Sequence, residues 1–169
     1  MNFLKSLAAV LVIALVEYLA GLYFPALLYM DLFLLFAVYV GLIAGPLAAE
    51  YSGFLAGITQ DILGHSPVPA LGINGFSKTV LGFAVSLTNR YLVLDSTWLR
   101  LLTVLCASFF NSAIIGSLLY ILGQSVPARF AQTALVQAAC ASAAAAVLFR
   151  VTDRIRRGTL KQLARPYAD

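Results

Sequence analysis

The amino-acid sequence predicts an all-helical polytopic membrane protein with about six transmembrane helices and both termini in the cytoplasm. Three observations support this prediction: the composition, the apolar stretches between turn signals, and the positions of the Lys and Arg residues. The chain has 169 residues, of which 62% are hydrophobic and 11% charged. A soluble domain has roughly 45–50% apolar and about 25% charged residues, and a domain this small leaves about a third of its surface exposed. The excess apolar residues must therefore face lipid.

The predicted helices follow from the length of chain that a bilayer requires. A spanning helix needs about 20 apolar residues, so the chain accommodates about six spans and no second domain. Turn signals separate the apolar stretches, including Gly45-Pro46 and a loop with two prolines, which lack the N–H group that a helix needs. A basic cytoplasmic tail, residues 152–169, is expected to form a short interfacial helix. The predicted spans are residues 4–24, 27–44, 47–63, 72–93, 98–122 and 128–151.

The orientation follows from the Lys and Arg residues, which lie almost entirely at one set of helix ends. With the N-terminus inside, nine of the eleven fall on the cytoplasmic side, Arg129 falls outside, and Lys78 lies within the fourth span. Membrane proteins retain such residues on the cytoplasmic side. Both termini are therefore predicted to be cytoplasmic. The nine residues are Lys5, Arg90, Arg100, Arg150, Arg154, Arg156, Arg157, Lys161 and Arg165.

The sequence argues against several classes of site. The net charge of +4 is concentrated near helix ends, where it attracts anionic headgroups, and no nucleic-acid-binding motif accompanies it. Cys106 and Cys140 lie in apolar stretches without further ligands at metal-binding spacing. The single histidine, His65, lies in the proline-containing loop, whereas an intramembrane serine protease needs a histidine within a span. We therefore expect no enzyme activity, no metal, no cofactor and no nucleic-acid partner.

Three charged side chains form a predicted buried set within the membrane. Glu17 and Lys78 lie about two turns from the outer ends of their helices, and Asp61 lies nearer the outer end of the third span. Charged groups are costly in a bilayer and are expected to pair, so Lys78 has two predicted carboxylate partners. Two interpretations are open: an ion pair that locks three helices together, and a binding pocket or proton path.

Glycines and polar residues form matching stripes on the third and fourth spans. Residues at steps of three or four lie on one face of a helix, and glycine on such a face lets a neighbouring backbone approach closely. The two stripes therefore predict a tight antiparallel helical hairpin. The glycines predicted to lie in its contact are Gly53, Gly57, Gly75 and Gly82.

The centre of the chain has a recognisable pattern. Its parts are a glycine-spaced helix ending in Asp61-Ile62-Leu63-Gly64, a short loop, and a glycine, Gly75, that opens a long apolar helix. This pattern, within residues 53–75, resembles the MreD family of bacterial rod shape-determining membrane proteins. An aspartate that opens the second span, here Asp31, also fits that family, whereas the loop departs from its pattern at Pro67 and Pro69.

The resemblance implies a non-catalytic component of the cell-wall elongation complex in the bacterial inner membrane. It implies direct binding of MreC and a place beside MreB, RodA and a class B penicillin-binding protein. It also implies a six-helix fold similar to the substrate-binding subunits of energy-coupling-factor vitamin transporters. Such a subunit is the alternative function, but the A-x-x-x-A stripe that these subunits usually have on the first helix is missing.

Candidate surfaces for binding MreC are faces with small residues, since a partner helix in lipid packs by shape rather than by hydrophobic drive. A groove at the outer halves of the third and fourth spans, near Asp61 and Gly64, is the slightly preferred surface. The fifth and sixth spans offer a second one. Its candidate residues are Ser108, Ser112, Ala134, Ala138 and Ser142.

Overall fold

The computed structural model describes residues 3–23, 30–63, 71–92, 96–125 and 128–164, which form six α-helices and no β-strand. The all-helical class predicted from the sequence is therefore confirmed for this part of the chain. The helices are α1 (Phe3–Tyr23), α2 (Leu32–Ile43), α3 (Pro46–Leu63), α4 (Ile73–Leu92), α5 (Thr97–Ile121) and α6 (Phe130–Ala164).

Three helices of the described segments are long and apolar enough to cross a membrane: α1, α5 and the part of α6 from Phe130 to Thr152. α2 is apolar but has only 12 residues, which rise about 18 Å, less than the roughly 30 Å of a bilayer core. α3 and α4 are long enough, but their polar residues lower their hydropathy. The prediction of six spans stays a prediction.

α2 lies at the centre of the bundle. Seven of its 12 residues are buried, and it contacts all five other helices. α1 packs on α3, α5 packs on α4, and α6 packs on α5. Consecutive helices are antiparallel, so the C-terminal ends of α1, α3 and α5 lie beside the N-terminal ends of α2, α4 and α6. We call this side of the bundle the Asp31 end and the opposite side the Arg100 end.

The main apolar core lies between α2 and the three helices that follow α3. Leu34 and Val38 of α2 belong to the same buried cluster as Leu81 of α4, and α6 adds the small residues Ala141 and Ala145. Because alanine side chains are short, the backbone of α6 lies close to the bundle at this level. One face of the alanine-rich part of α6 therefore belongs to the interior of the protein.

α6 differs from the prediction at its C-terminal end, where the sequence predicts a separate interfacial helix after residue 151. The helix instead runs unbroken to Ala164. No proline interrupts residues 152–164, and a glycine such as Gly158 costs a helix only about 1 kcal/mol. α6 therefore extends about 18 Å beyond the apolar stretch that ends at Thr152.

α5 ends in a Schellman motif that turns the chain back toward α6. The N–H of Gly123 donates to the carbonyl of Tyr120 at 3.1 Å, and the N–H of Gln124 donates to the carbonyl of Leu119 at 3.0 Å. Gly123 has a φ of +67°, the left-handed conformation that this motif requires and that glycine adopts without strain. The tight turn starts α6 close to the end of α5.

Candidate functional site

The contact between α3 and α4 brings two backbones together at glycines. A Cβ atom at Gly53 would lie closer than 3.0 Å to the carbonyl oxygen of Lys78, and one at Gly57 would lie equally close to that of Asn74. Real Cβ atoms do not approach carbonyl oxygens so closely, so only glycine fits at both positions without a backbone shift.

The other two glycines of the predicted contact also face close neighbours across it. A Cβ atom at Gly82 would lie 2.7 Å from the carbonyl oxygen of Ala49, and one at Gly75 would lie 3.0 Å from the side chain of Ile58. The structure thus places all four predicted glycines between α3 and α4. This close approach brings polar side chains of α3 within hydrogen-bond distance of polar side chains of α4.

Lys78 of α4 is fully buried between α2, α3 and α4. Its ammonium group donates to Asp31 Oδ2 at 3.0 Å and to Gln60 Oε1, and Asn74 Oδ1 lies 3.5 Å away. An ammonium group has three N–H donors, so these three oxygens match its full capacity. Lys78 is therefore satisfied by side chains of α3, α4 and the start of α2.

Asp31 joins three helices through one carboxylate. Its Oδ1 accepts from the N–H of Leu34 at 2.8 Å and so caps the N-terminus of α2. Its Oδ2 accepts from Lys78 and, at 3.2 Å, from Nε2 of Gln137 on α6. Because the side chain is 2% exposed, these bonds replace the water that the charge would otherwise need.

Asp61, near the end of α3, caps the N-terminus of α4. Its Oδ2 accepts from the N–H groups of Gly72 at 2.8 Å and Gly75 at 3.4 Å, and its Oδ1 accepts from Nδ2 of Asn74 at 2.8 Å. The first N–H groups of a helix have no partner within it and attract negative charge. Asp61 therefore ties the end of α3 to the start of α4.

These interactions form one continuous set at the Asp31 end, because Asn74 lies between Lys78 and Asp61. We call this set the Asp31–Lys78 network. Its six members are Asp31, Gln60, Asp61, Asn74, Lys78 and Gln137.

The pairing of Lys78 corrects the sequence-based expectation. The sequence predicts Glu17 and Asp61 as its carboxylate partners, whereas the structure places Asp31 against the ammonium group and Asp61 on the N-terminus of α4. Glu17 is buried nearby, and its Oε1 accepts from the N–H of Leu32 at 3.0 Å. Asp31 becomes the partner because α2 is short and begins inside the bundle, so its N-cap lies at the depth of Lys78.

α4 also provides hydrogen-bond donors for the backbone carbonyl groups at the C-terminal end of α2. Nδ2 of Asn89 donates to the carbonyl of Leu42 at 2.7 Å, and the hydroxyl of Ser86 donates to the carbonyl of Ala44 at 3.1 Å. The last carbonyls of a helix lack intrahelical partners, and an unpaired one is costly away from water. A single helix, α4, thus provides partners at both ends of α2.

Sequence reasoning assigned no role to three members of the network. Asn74 lies four residues before Lys78 and therefore on the same face of α4, a spacing that could have indicated it. Gln137 is a polar residue within an apolar stretch, and such a residue is expected to face protein rather than lipid, so it too could have been predicted as a buried hydrogen-bonding group. For Gln60, no local spacing indicates that its side chain reaches across to α4.

The predicted docking residues of α6 lie in different environments. Ala138 is buried within the bundle, and the hydroxyl of the partly buried Ser142 donates to its carbonyl. Neither residue forms a free surface, because the face of α6 that carries them packs inward together with Ala141 and Ala145. Ala138 and Ser142 are therefore removed as docking candidates.

The preferred docking groove at the outer halves of α3 and α4 is also corrected. The Asp61 carboxylate is engaged on the N-terminus of α4, and the glycines close the contact between the two helices. Gly64, named with Asp61, lies outside the described residues, as does His65. On α5, Ser108 is 1% exposed and lies on the interior face of the helix.

An open apolar groove lies between α5 and α6 at the Asp31 end, with a volume of about 820 Å³. We call it the α5–α6 groove. Two predicted docking residues, Ser112 and Ala134, line it, and six of its eleven lining residues are glycine, alanine or serine. Besides Ser112 and Ala134, the small lining residues are Ala113, Gly116, Ser117 and Ala131. The larger lining residues are Phe109, Tyr120, Ile121, Phe130 and Leu135.

Within the described segments, no three His, Cys, Asp or Glu side chains lie together as metal ligands would. The ammonium, carboxylate and amide groups of the Asp31–Lys78 network bond to one another. The network thus joins α2, α3, α4 and α6 within the apolar bundle.

Comparison with models of known protein families, with curated proteins and with solved structures finds no match to this chain. The resemblance to the MreD family and the expected fold similarity to vitamin-transporter subunits therefore stay predictions.

Proposed function

We propose that this chain is a non-catalytic membrane component of the bacterial cell-wall elongation complex. It binds MreC directly and works beside MreB, RodA and a class B penicillin-binding protein. All six predicted spans cross the inner membrane, the termini are cytoplasmic and the Asp31 end faces outward. The excess of Lys and Arg at the Arg100 end supports this orientation, since nine of the eleven lie at that end or in the basic tail.

The distribution of polar and apolar side chains supports placing α3 and α4 in the bilayer as well. Most polar residues of α3 and α4 are buried or partly buried, whereas large apolar residues are exposed, including Phe54 and Ile62 on α3 and Phe76 and Phe83 on α4. Exposed aromatic and aliphatic residues suit contact with lipid, and buried polar residues suit a bundle without internal water.

The residues of the MreD-like pattern have definite structural roles, which supports the proposal. Gly53 and Gly57 allow the α3–α4 contact, Asp61 caps α4, and Asp31 pairs with Lys78. The pattern therefore describes the centre of this fold rather than a surface feature. The residues that carry the resemblance thus serve helix packing in this protein, which suits a scaffold more than an enzyme.

The α5–α6 groove is the feature of the structure that best supports the proposed binding of MreC. Helices associate in lipid mainly through close packing at small residues, and the groove offers six of them beside exposed aromatic residues. A single transmembrane helix, which MreC is expected to have, matches such a groove in shape and polarity. Because the groove lies at the Asp31 end, a helix seated in it leads outward to the soluble part of MreC.

The proposal is tested by retention of MreC on the affinity-tagged protein in detergent. The variant Ala134→Leu fills the groove and should lower the MreC retained several-fold. Ala139→Leu is the matched control, because it makes the same change at an exposed position of α6 that does not line the groove; it should retain MreC as the unaltered protein does. Equal retention by the two variants would remove the groove as the binding surface.

The unaltered protein tests the function itself. If it fails to retain MreC and instead binds a vitamin tightly, the function is that of a substrate-binding subunit of an energy-coupling-factor transporter. Complementation of cell shape in a strain that lacks its own MreD gives a second measurement. Restored rod shape supports the proposal, and round cells despite normal membrane levels of the protein contradict it.

A further inference from the structure

A second apolar groove lies between α4 and α5 toward the Arg100 end, with a volume of about 480 Å³. We call it the α4–α5 groove. Leu81, Val85 and Ala107 line it and also belong to the buried cluster of the main core, whereas exposed residues such as Leu102 form its outer edge. The groove therefore reaches inward from the surface of the bundle to the core.

The side chains that line the α4–α5 groove leave no hydroxyl donor for a ligand. Nine of its eleven lining residues are apolar, Cys106 among them. The other two, Thr88 and Thr103, donate to the carbonyls of Ala84 at 2.9 Å and Leu99 at 2.8 Å on their own helices. A polar ligand would lose its water here without gaining such a donor in return. The lining suits an apolar occupant.

The shape of the groove distinguishes a hydrocarbon chain from a transmembrane helix. Helices pack closely in lipid where small residues let two backbones approach, and the α5–α6 groove has six glycine, alanine or serine residues for such a contact. The α4–α5 groove has only two, Ala84 and Ala107, and its volume is about 480 Å³ against about 820 Å³. Its larger side chains admit a flexible chain more readily than a helix.

The length and direction of the groove match one acyl chain. Its lining residues extend from Leu81 to Leu92 along α4 and from Leu99 to Phe110 along α5, which is a rise of about 16 Å on each helix. The hydrocarbon core of a bilayer is about 30 Å thick, so the groove covers about one leaflet. Because it follows the helix axes, a chain within it lies parallel to the chains of the surrounding bilayer.

Cationic residues lie at the Arg100 end, where the groove meets the headgroup layer. Arg90 is in the last turn of α4 and is exposed, and Arg100 is in the first turn of α5. Neither helix contains an acidic residue, and with Asp95 of the connection counted, this end of the helix pair keeps a net positive charge. Arginine side chains reach from apolar surface to the headgroup layer, where they attract anionic lipids.

We propose that the α4–α5 groove binds one acyl chain of an anionic phospholipid of the cytoplasmic leaflet, with its headgroup beside Arg90 and Arg100. The chain fills the space between α4 and α5 and so takes part in the packing of the main core. This inference rests on the proposed membrane position and orientation of α4 and α5, and it does not depend on MreC.

Photo-crosslinking of a phospholipid tests the site in the full chain without any partner protein. The probe is phosphatidylglycerol with a diazirine in one acyl chain, added at one equivalent to the delipidated protein in detergent. We expect the crosslinks, mapped by mass spectrometry, to lie mainly on lining residues of the groove such as Ala84, Leu102 and Cys106.

Competition tests the headgroup. An excess of unlabelled phosphatidylglycerol should remove the groove crosslinks, whereas phosphatidylcholine with the same acyl chains should remove several-fold fewer. The double variant Arg90→Gln/Arg100→Gln should abolish this preference. Equal competition by the two lipids in the unaltered protein would overturn the assignment of an anionic headgroup.

Variants that fill the groove test its occupant. Ala84→Phe from the α4 wall and Cys106→Phe from the α5 wall should each lower the groove crosslinks several-fold. Ala143→Phe is the matched control, because Ala143 is exposed on α6 and does not line the groove; it should leave the crosslinks unchanged. The melting temperature without lipid identifies the variants that are folded.

Two further outcomes overturn the site. In the first, crosslinks spread over every exposed apolar face, α1 included, so the lipid makes only the contacts of an ordinary bilayer. In the second, folded filling variants keep the groove crosslinks of the unaltered protein, so the chain lies elsewhere. Because MreC is absent from every measurement, either outcome leaves the proposed function to its own test.

Discussion

The ammonium group of Lys78 on α4 lies 3.0 Å from the carboxylate of Asp31 at the start of α2, and both side chains are almost completely buried. This pair connects the polar hairpin of α3 and α4 to the apolar central helix. Charges removed from water are stable only when partners satisfy them, and Gln60, Gln137 and the N–H of Leu34 complete the set. This pair is the charged link between the α3–α4 hairpin and the central helix α2.

The first prediction concerns that pair. Lys78→Met should lower the free energy of unfolding by about 3–5 kcal/mol, because Asp31 loses its cationic partner inside an apolar bundle. The double variant Asp31→Asn/Lys78→Met removes both charges and should be less destabilised than Lys78→Met alone. Unfolding in detergent measures the difference, with Lys5→Met at an exposed position as the control. A double variant less stable than Lys78→Met would refute the pairing.

The second prediction concerns the contact of α3 with α4. Gly57→Ala should destabilise the protein by about 1–3 kcal/mol, since overpacking forces the two backbones apart. Gly45→Ala is the matched control, because a Cβ atom there meets nothing within 4 Å. The melting temperatures of the two variants in detergent provide the comparison. Equal melting temperatures would mean that the contact is looser than the structure shows.

The third prediction concerns the cap that α3 provides for α4. Asp61→Ala removes the acceptor for the N–H groups of Gly72 and Gly75 and should cost about 0.5–2 kcal/mol, the range for lost helix caps. Asp61→Asn keeps one oxygen acceptor and should cost less. Hydrogen exchange at the first turn of α4 reports the effect locally. Unchanged exchange in Asp61→Ala would contradict this role.

The fourth prediction concerns topology. In a background without Cys106 and Cys140, a cysteine at Ser125 should react with a membrane-impermeant thiol reagent added to intact cells. A cysteine at Gly158, in the extension of α6, should react only after the membrane is opened. The Lys and Arg asymmetry predicts this orientation. Labelling at Gly158 in sealed cells would reverse it.

Much of the architecture could be predicted from the sequence because it depends on local spacing. The apolar stretches predict the helices, and the four-residue steps between Gly53, Gly57 and Asp61 predict a face against which another helix packs. Helical periodicity places residues on a face without knowledge of the neighbour. The structure confirms this prediction at the glycines of the α3–α4 contact, where a larger side chain would collide with the neighbouring helix.

The sequence does not predict which helix face packs against which, and only the tertiary structure shows these partners. Asp31 and Lys78 are 47 residues apart, and Asp31 and Gln137 are 106 apart, so no local spacing relates them. The alanines of α6 suit an interior contact as well as a docking surface, and the bundle uses Ala138 for the interior. The sequence by itself determined which residues share a helix face, because that follows from backbone geometry. Which faces meet depends on how six helices fill one volume, and that choice is made only when the whole chain packs.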